Sequence, residues 1–269
     1  MIVNAGRRDA LRRIIVTAIG VMGASNFPRS TRASVENRPD VETLQTGDLI
    51  WPKVPGQVVL YSSGAPDSRS QLIRRWEKEK AEFANRLRSS SKSTAEDLRL
   101  ADTFDAMTYK QFEARYLGDF RPGHVEQTGS DVLYVGHVAV VAEASRNPLI
   151  VEAIEGEINR VRTIKYSAWL DSRPGCSVWV GRIKNLDTTE KNKFVDEARK
   201  HVGVRYDFWN LDLNNDEGFY CSKLVWQSIW RTKNLAIDDD KASKRSFWFS
   251  PKQLMHTNHV DLIFQPNVY

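Results

Sequence analysis

The distribution of apolar and polar residues first predicts helices. Between about residues 68 and 116, apolar side chains recur at three- and four-residue spacing among many lysines, arginines and glutamates, the pattern of amphipathic helices. Serines at 89–91 interrupt the pattern, and Thr94 with Asp97 three residues later has the spacing of a helix N-cap. Residues 68–118 are therefore predicted to form a helical insertion, which either covers a cleft or is a solvated hairpin with only a structural purpose.

The second half of the chain has the pattern of β-strands. Residues 132–142 form a nearly continuous apolar run, as in a strand that is buried on both faces. Three further strands are predicted at 149–154, 158–164 and 177–183, and an early one is predicted at 49–51, after a turn. Prolines and glycines separate these runs, as expected at turns.

Two helices are predicted after the strands, at 188–202 and 221–230. Because strands and helices do not alternate, the fold class is α+β rather than a doubly wound sheet. The whole of 44–269 is assigned to this domain. His256 and His259 lie in what is interpreted as a polar tail.

Composition and charge exclude several classes of protein. The chain has 269 residues, of which 41% are hydrophobic and 27% charged, as in an ordinary soluble globular protein. The net charge is +5, but the first 25 residues carry much of it. No basic stripe interleaved with aromatic residues follows, so a nucleic-acid partner is not expected.

Residues 1–25 have the organisation of an export signal. A basic segment precedes an apolar run at 14–23, which ends in small residues and is too short for a stable membrane anchor. Arg7 and Arg8 resemble the twin-arginine signal, although Ala10 stands where that signal prefers a bulky aromatic residue. The sequence predicts a periplasmic or secreted protein, exported through a Sec or twin-arginine-like leader, with a linker at 26–43 and at most peripheral membrane contact. The alternative is a basic amphipathic helix on a cytoplasmic protein.

Cys221 is the first candidate for chemistry because it opens a predicted helix. Backbone N–H groups and the helix dipole favour a thiolate at that end, and the thiolate is the nucleophilic form of cysteine. The alternative is a small buried residue that packs the helix. A disulfide with Cys176 is also open, but a free and reactive Cys221 is favoured.

His137 and Glu152 are candidates because each is a single polar residue within an apolar strand. A buried histidine needs partners for its ring nitrogens, whatever its role. Polar residues on consecutive strands can face each other, and a glutamate that binds one nitrogen would fix the tautomer of the ring. The two residues are therefore predicted to pair, for either a structural or a catalytic purpose.

Four motifs together resemble a known family. They lie at 47–50, 136–141, 151–153 and 219–225, and they resemble the circularly permuted NlpC-like papain-fold hydrolases of the YiiX-like branch. The resemblance covers about 45–55 and 130–232. It implies a permuted papain-like α+β fold, in which a central antiparallel sheet packs on helices.

The resemblance also implies roles for individual residues. Cys221 corresponds to the nucleophile, His137 to its base and Glu152 to the acidic third member. Lys223 stands where relatives often have glutamate, which bears on substrate preference rather than on catalysis. Tyr220 and Tyr206 are candidate donors to an oxyanion, with aromatic packing as the alternative.

Metal and cofactor sites are not predicted. Residues 212–218 begin like a calcium loop, but Glu217 occupies the position that requires glycine and Lys223 the position that requires glutamate. The two cysteines are too far apart in the chain for a zinc signature.

The predicted function is hydrolysis through an acyl-enzyme on the Cys221 thiolate. An exported enzyme of this kind would act as an amidase or peptidase on the peptides of bacterial peptidoglycan. One alternative keeps the same site but acts on lipid esters, as a lipase or acyltransferase. The other is a non-catalytic binding domain with an idle thiol.

Overall fold

The computed structural model describes residues 37–54, 69–112, 136–213, 215–238, 250–267 and 269. The predicted leader at 1–25 and most of the linker at 26–43 lie outside the described residues. A short 3-10 helix, Val41–Thr43, leads into the first strand.

Within the described residues, six strands form one antiparallel sheet. They are β1 Leu49–Lys53, β2 Ala139–Glu143, β3 Leu149–Ile154, β4 Arg160–Lys165, β5 Ser177–Ile183 and β6 Val260–Phe264. Their order across the sheet is β4-β3-β2-β1-β5-β6, and every neighbouring pair is antiparallel. The five predicted strands correspond to β1–β5. The strand predicted at 132–142 begins only at Ala139, so His137 lies just before it and not within it, and 132–135 lie outside the described residues.

Seven helices lie within the same described part of the chain. They are α1 Arg69–Ser89, α2 Ala95–Ala106, α3 Tyr109–Phe112, α4 Tyr166–Asp171, α5 Thr188–Lys200, α6 Cys221–Lys233 and α7 Pro251–Met255. The predicted helices at 188–202 and 221–230 correspond to α5 and α6. The second helix ends later than predicted because Asn234, in the left-handed conformation, provides its C-cap. Together these elements confirm the α+β class.

Each face of the sheet has its own hydrophobic core. Successive side chains of a strand point to opposite faces, so Leu49 and Trp51 contribute to one core and Ile50 to the other. Helices α5 and α6 pack against β2 and β3 on the first face, and α4 contacts β3 and β4. Helix α6 and the central strands are thereby packed against each other.

The two cysteines are free and belong to different cores. Cys221 lies in the cluster that contains α5 and α6, whereas Cys176 lies in the cluster on the opposite face of the sheet. The disulfide that the sequence left open is therefore not formed, because the sheet separates the two thiols.

The segment 69–112 is helical, as its pattern predicts. Thr94 caps α2, and Asp97 completes a capping box by accepting from the Thr94 backbone N–H. Phe112 connects these helices to the rest of the core, since its ring stacks on that of Trp209 with centroids 6.4 Å apart. The assignment of 68–118 as an insertion stays a prediction.

The interpretation of 250–269 as a polar tail is wrong. Ser250 caps α7, and β6 pairs with β5 from Ile183↔Val260 onward. The strand was missed because it is a short edge strand, in which exposed side chains alternate with buried or half-buried ones. No helix among the described residues combines the length and apolarity that a membrane crossing requires.

Candidate active site

Cys221 lies at the start of α6 and is almost completely buried. Only 7% of the residue is exposed. The residue before it, Tyr220, is the N-cap in an extended conformation (φ −106°, ψ 168°), and no side chain caps the helix. The first backbone N–H groups of a helix lack intrahelical partners and attract negative charge. This position therefore suits a thiolate.

His137 lies just before β2, close to Glu152 of β3. Val140 is paired with Val151, so continuation of this register places His137 diagonally from Glu152 on one face of the sheet. His137 Nε2 lies 2.8 Å from Glu152 Oε2. The predicted pairing between these two residues is therefore present.

His137 also lies next to Cys221, because the Cys221 thiol is among the groups that raise the pKa of His137. Because Nε2 is bound to Glu152, the ring nitrogen left for the thiol is Nδ1. The imidazole thus lies between a carboxylate and a thiol, with 17% of its side chain exposed. This is the arrangement required of a nucleophile, its base and an orienting group.

Glu152 is fully buried and receives further hydrogen bonds from three side chains. Arg162, directly opposite on β4, donates to Oε1 through Nε at 2.9 Å and Nη2 at 2.6 Å. Trp169 Nε1 of α4 donates to Oε2 at 2.8 Å, and Arg173 Nη2 donates to the same oxygen at 2.9 Å. The carboxylate is therefore held in place by its neighbours before it orients His137.

These donors were missed by reasoning from sequence. Arg162 lies in a predicted strand, but its contact with Glu152 depends on the β3–β4 register. Trp169 belongs to a helix of six residues whose N-cap makes no side-chain hydrogen bond. Such a short, uncapped helix has no clear sequence signature.

The contacts of Glu152 set its charge. Burial by itself would raise the pKa of this carboxyl group. The hydrogen bond and charge of His137, the charge of Arg173 and the hydrogen bond from Arg162 outweigh burial and lower the Glu152 pKa far below its usual value. Glu152 is therefore ionised at any physiological pH.

His137 is shifted in the opposite direction. Burial would lower its pKa, but the charge and hydrogen bond of Cys221, followed by those of Glu152, raise the pKa from 6.5 to about 9. At neutral pH the imidazole therefore carries a proton next to the thiol sulfur. The proton on His137 thus lies where it can balance a negative charge on the sulfur.

We expect the ring of His137 to titrate near pH 9 in the wild type and at a lower pH in Cys221→Ala, which removes the largest of the contributions that raise its pKa. Since the folded-state pKa lies above the ordinary value of 6.5, the stabilisation from this proton is complete below pH 6.5 and is lost as the pH rises through 9. NMR titration of the ring protons measures both values. An unchanged pKa in Cys221→Ala would contradict the contact.

Comparison with known proteins identifies the fold family. Residues 107–262 match the family of permuted papain-like amidase enzymes (YaeF/YiiX, C92 family). The chain belongs to this family. The matched range contains His137, Glu152 and Cys221.

A solved structure is also similar to this C92-family protein. The crystal structure of metalloprotein yiiX from Escherichia coli O157:H7 is 14% identical and aligns with 81% of this chain and 96% of that chain, with a TM-score of 0.40. No curated protein matches the chain.

Tyr206, a predicted oxyanion donor, lies within the electrostatic influence of Cys221 in this C92-family protein. Burial, followed by the nearby charges of Cys221 and Glu155, raises the pKa of Tyr206 well above 10. The phenol therefore stays protonated and keeps a hydrogen to donate. The Tyr220 ring, in contrast, belongs to the hydrophobic core and lies near that of Phe208, with centroids 6.3 Å apart.

Lys223 points away from solvent although it lies only two residues after Cys221. It is fully buried, with Nζ 5.3 Å from the centroid of the Phe219 ring and without a hydrogen-bond partner among the described residues. Burial lowers the Lys223 pKa to about 7, and the charges of nearby aspartates only partly oppose this shift. Its side chain is therefore part of the interior of this family member.

Among the described residues, no group of three or more His, Cys, Asp and Glu side chains is arranged to hold a metal ion. The calcium-like segment at 212–218 precedes α6 as a loop, and Asn214 within it lies outside the described residues. Gln227 Nε2 donates to Leu213 O at 2.9 Å and to Asp216 Oδ1 at 2.8 Å. This loop is thereby attached to the helix that carries Cys221.

Proposed function

We propose that this protein is a cysteine hydrolase that cleaves an amide bond through an acyl-enzyme on Cys221. The proposal rests chiefly on one observation: the His137 ring binds the buried Glu152 carboxylate at 2.8 Å through Nε2 and lies near enough to the Cys221 thiol for that thiol to raise its pKa. A thiol, an imidazole and a buried carboxylate in this order provide a nucleophile, a proton carrier and an orienting group.

The first half of the reaction forms the acyl-enzyme. The cycle starts with the thiol proton already on His137, and the Cys221 thiolate attacks the carbonyl carbon to form a C–S bond. The carbonyl electron pair moves to oxygen, where the helix N-terminus and the Tyr206 hydroxyl stabilise the negative charge. The C–N bond then breaks, and His137 gives its proton to the departing amine.

The second half releases the acid and restores the enzyme. His137 accepts a proton from water as the oxygen attacks the thioester carbon. The C–S bond breaks, the acyl group leaves as a carboxylic acid, and the thiolate again lies next to a protonated His137. Glu152 remains ionised throughout, since its pKa is lowered by its contacts, and it stabilises the imidazolium.

We further propose that the substrate is a peptide amide of bacterial peptidoglycan. The amidase description of the family supports an amide rather than an ester. The leader predicted at 1–25 would deliver the enzyme to the compartment that contains the cell wall.

The test is to incubate the wild type and Cys221→Ala separately with purified peptidoglycan and with phospholipid vesicles, and to identify the products by mass spectrometry. The proposal predicts new peptide termini from peptidoglycan with the wild type and none with the variant. Release of fatty acid from the vesicles instead would assign the site to lipid esters. Equal products from both proteins would contradict the use of Cys221.

A further inference from the structure

We propose that Tyr269 is a positioning residue for His137, an inference that rests on the proposed function. The backbone N–H of His137 donates to the Tyr269 hydroxyl at 3.3 Å. Tyr269 lies outside the range that matches the family, which ends at 262. The family match therefore assigns no role to Tyr269.

The hydroxyl contacts His137 at the point where the β1–β2 ladder ends. Val141 N–H donates to Asp48 O at 2.8 Å, and hydrogen-bonded positions alternate along an antiparallel ladder. Ile50 is paired with Ala139, so the next hydrogen-bonded pair along the same two segments would be Pro52 and His137. Proline has no N–H, so this pair cannot form both ladder hydrogen bonds. The described β1–β2 pairing indeed ends at Ile50↔Ala139.

Tyr269 is itself held firmly enough to position another residue. It is 5% exposed, and its ring meets that of Trp179 edge-on, with centroids 4.9 Å apart and an interplanar angle of 83°. Trp179 Nε1 donates to the carbonyl of Asn267 at 3.0 Å, which anchors the segment two residues earlier. The Lys53 ammonium group lies 5.5 Å from the centroid of the Tyr269 ring.

Gly136 provides the space for this contact. A Cβ atom at this position would lie 2.1 Å from the Tyr269 hydroxyl oxygen, closer than any non-bonded contact allows. The φ angle of +76° also favours glycine. The residue next to His137 is thus shaped to admit the hydroxyl group.

The consequence is a histidine fixed from two sides. Glu152 holds the ring through Nε2, and Tyr269 holds the backbone to which that ring is attached. Loss of the hydroxyl should let the imidazole drift from Cys221 without changing the substrate-binding surface. We therefore expect a decrease in kcat rather than an increase in KM.

The decisive variant is Tyr269→Phe, which removes only the hydroxyl group. Tyr166→Phe is the matched control, because the Tyr166 hydroxyl is buried without a hydrogen-bond partner among the described residues. Two quantities are measured: the hydrogen-exchange rate of the His137 amide, and the rate at which iodoacetamide alkylates Cys221, followed by peptide-resolved mass spectrometry so that Cys176 is distinguished.

In Tyr269→Phe the amide of His137 should exchange faster, and Cys221 should react about three- to tenfold more slowly, the change that corresponds to loss of one neutral hydrogen bond. Tyr166→Phe should match the wild type in both. Wild-type values in Tyr269→Phe would overturn this inference alone. Wild-type Cys221 that is no more reactive than in His137→Gln would overturn the proposed function, and this inference with it.

A second pair of variants tests the same contact from the other side. Gly136→Ala and Gly175→Ala impose similar backbone strain, at φ +76° and +75°, but a Cβ at Gly175 meets nothing within 4 Å. Slower alkylation of Cys221 in Gly136→Ala, with no change in Gly175→Ala, supports the inference. Equal rates in both variants would contradict it. If Gly136→Ala does not fold, the Tyr269→Phe measurements decide.

Discussion

Replacement of Cys221 with alanine should abolish hydrolysis while the fold remains intact. The loss in kcat should be at least about 10⁴-fold, because removal of a covalent nucleophile leaves only binding and electrostatic assistance. The free energy of unfolding should change little, since the substitution removes only one sulfur atom and the residue, at 7% exposure, is not completely enclosed. Product formation and the urea unfolding midpoint are measured on the same preparations.

Cys176→Ala is the matched control for this experiment. Cys176 is the other cysteine of the chain and is fully buried in the core on the opposite face of the sheet. Its replacement removes a sulfur atom that is not in contact with His137. The control should keep full activity. Its free energy of unfolding should fall by about 1 kcal/mol, because the substitution leaves a cavity of roughly the size of one methylene group. Activity that persists in Cys221→Ala, or disappears in Cys176→Ala, would contradict the assignment.

Replacement of Glu152 with glutamine should affect both stability and catalysis. The amide would leave Arg162 and Arg173 without the carboxylate that balances their charge, although their side chains are only 17% and 13% exposed. Breaking a buried ion pair at one partner typically costs about 3–5 kcal/mol. Activity should fall by about 10² to 10⁴-fold, because an orienting carboxylate fixes the tautomer and charge of the histidine.

The pH dependence of stability gives Glu152→Gln a signature of its own. The pKa of Glu152 is lowered by folding, so its contribution is present above the unfolded value of 4.5 and is lost as the pH falls toward the folded value. The wild type should therefore lose free energy of unfolding below pH 4.5, and Glu152→Gln should lose less over the same range.

Glu143→Gln is the control for the removal of a carboxylate. Glu143 lies at the end of β2, 65% exposed, with its carboxylate 3.8 Å from Arg199. An exposed ion pair of this kind contributes about 1 kcal/mol at most. If Glu152→Gln is as stable and active as Glu143→Gln, the hydrogen-bond network around Glu152 is not a determinant of the site.

The sequence predicted the pairing of His137 with Glu152 but not the residues that hold the pair in place. Isolated polar residues in apolar strands were enough to predict that His137 pairs with Glu152, because consecutive antiparallel strands are usually neighbours. The start of a helix alone favoured a packing role for Cys221, and it was the resemblance to the family, with the His137 and Glu152 pair, that predicted a nucleophile. These signals are local, and each can be read within a single element.

The supporting residues depend on distant parts of the chain. Arg162 faces Glu152 only in the β3–β4 register, and Arg173 reaches the same carboxylate from beyond α4. Tyr269 approaches His137 from 132 residues away. No periodicity encodes such contacts, because they arise from the register and packing of the whole sheet.

The most direct test of whether His137 activates Cys221 is the rate at which iodoacetamide alkylates this cysteine. The rate is measured from pH 5.5 to 10 in the wild type and in His137→Gln, and no substrate needs to be known. The thiolate is the reactive form. Wild-type Cys221 should react rapidly at neutral pH, whereas Cys221 in His137→Gln should react slowly there, with a rate that rises with pH as for an ordinary thiol. Identical profiles in the two proteins would contradict the pairing of Cys221 with His137, and with it the proposed cysteine hydrolase.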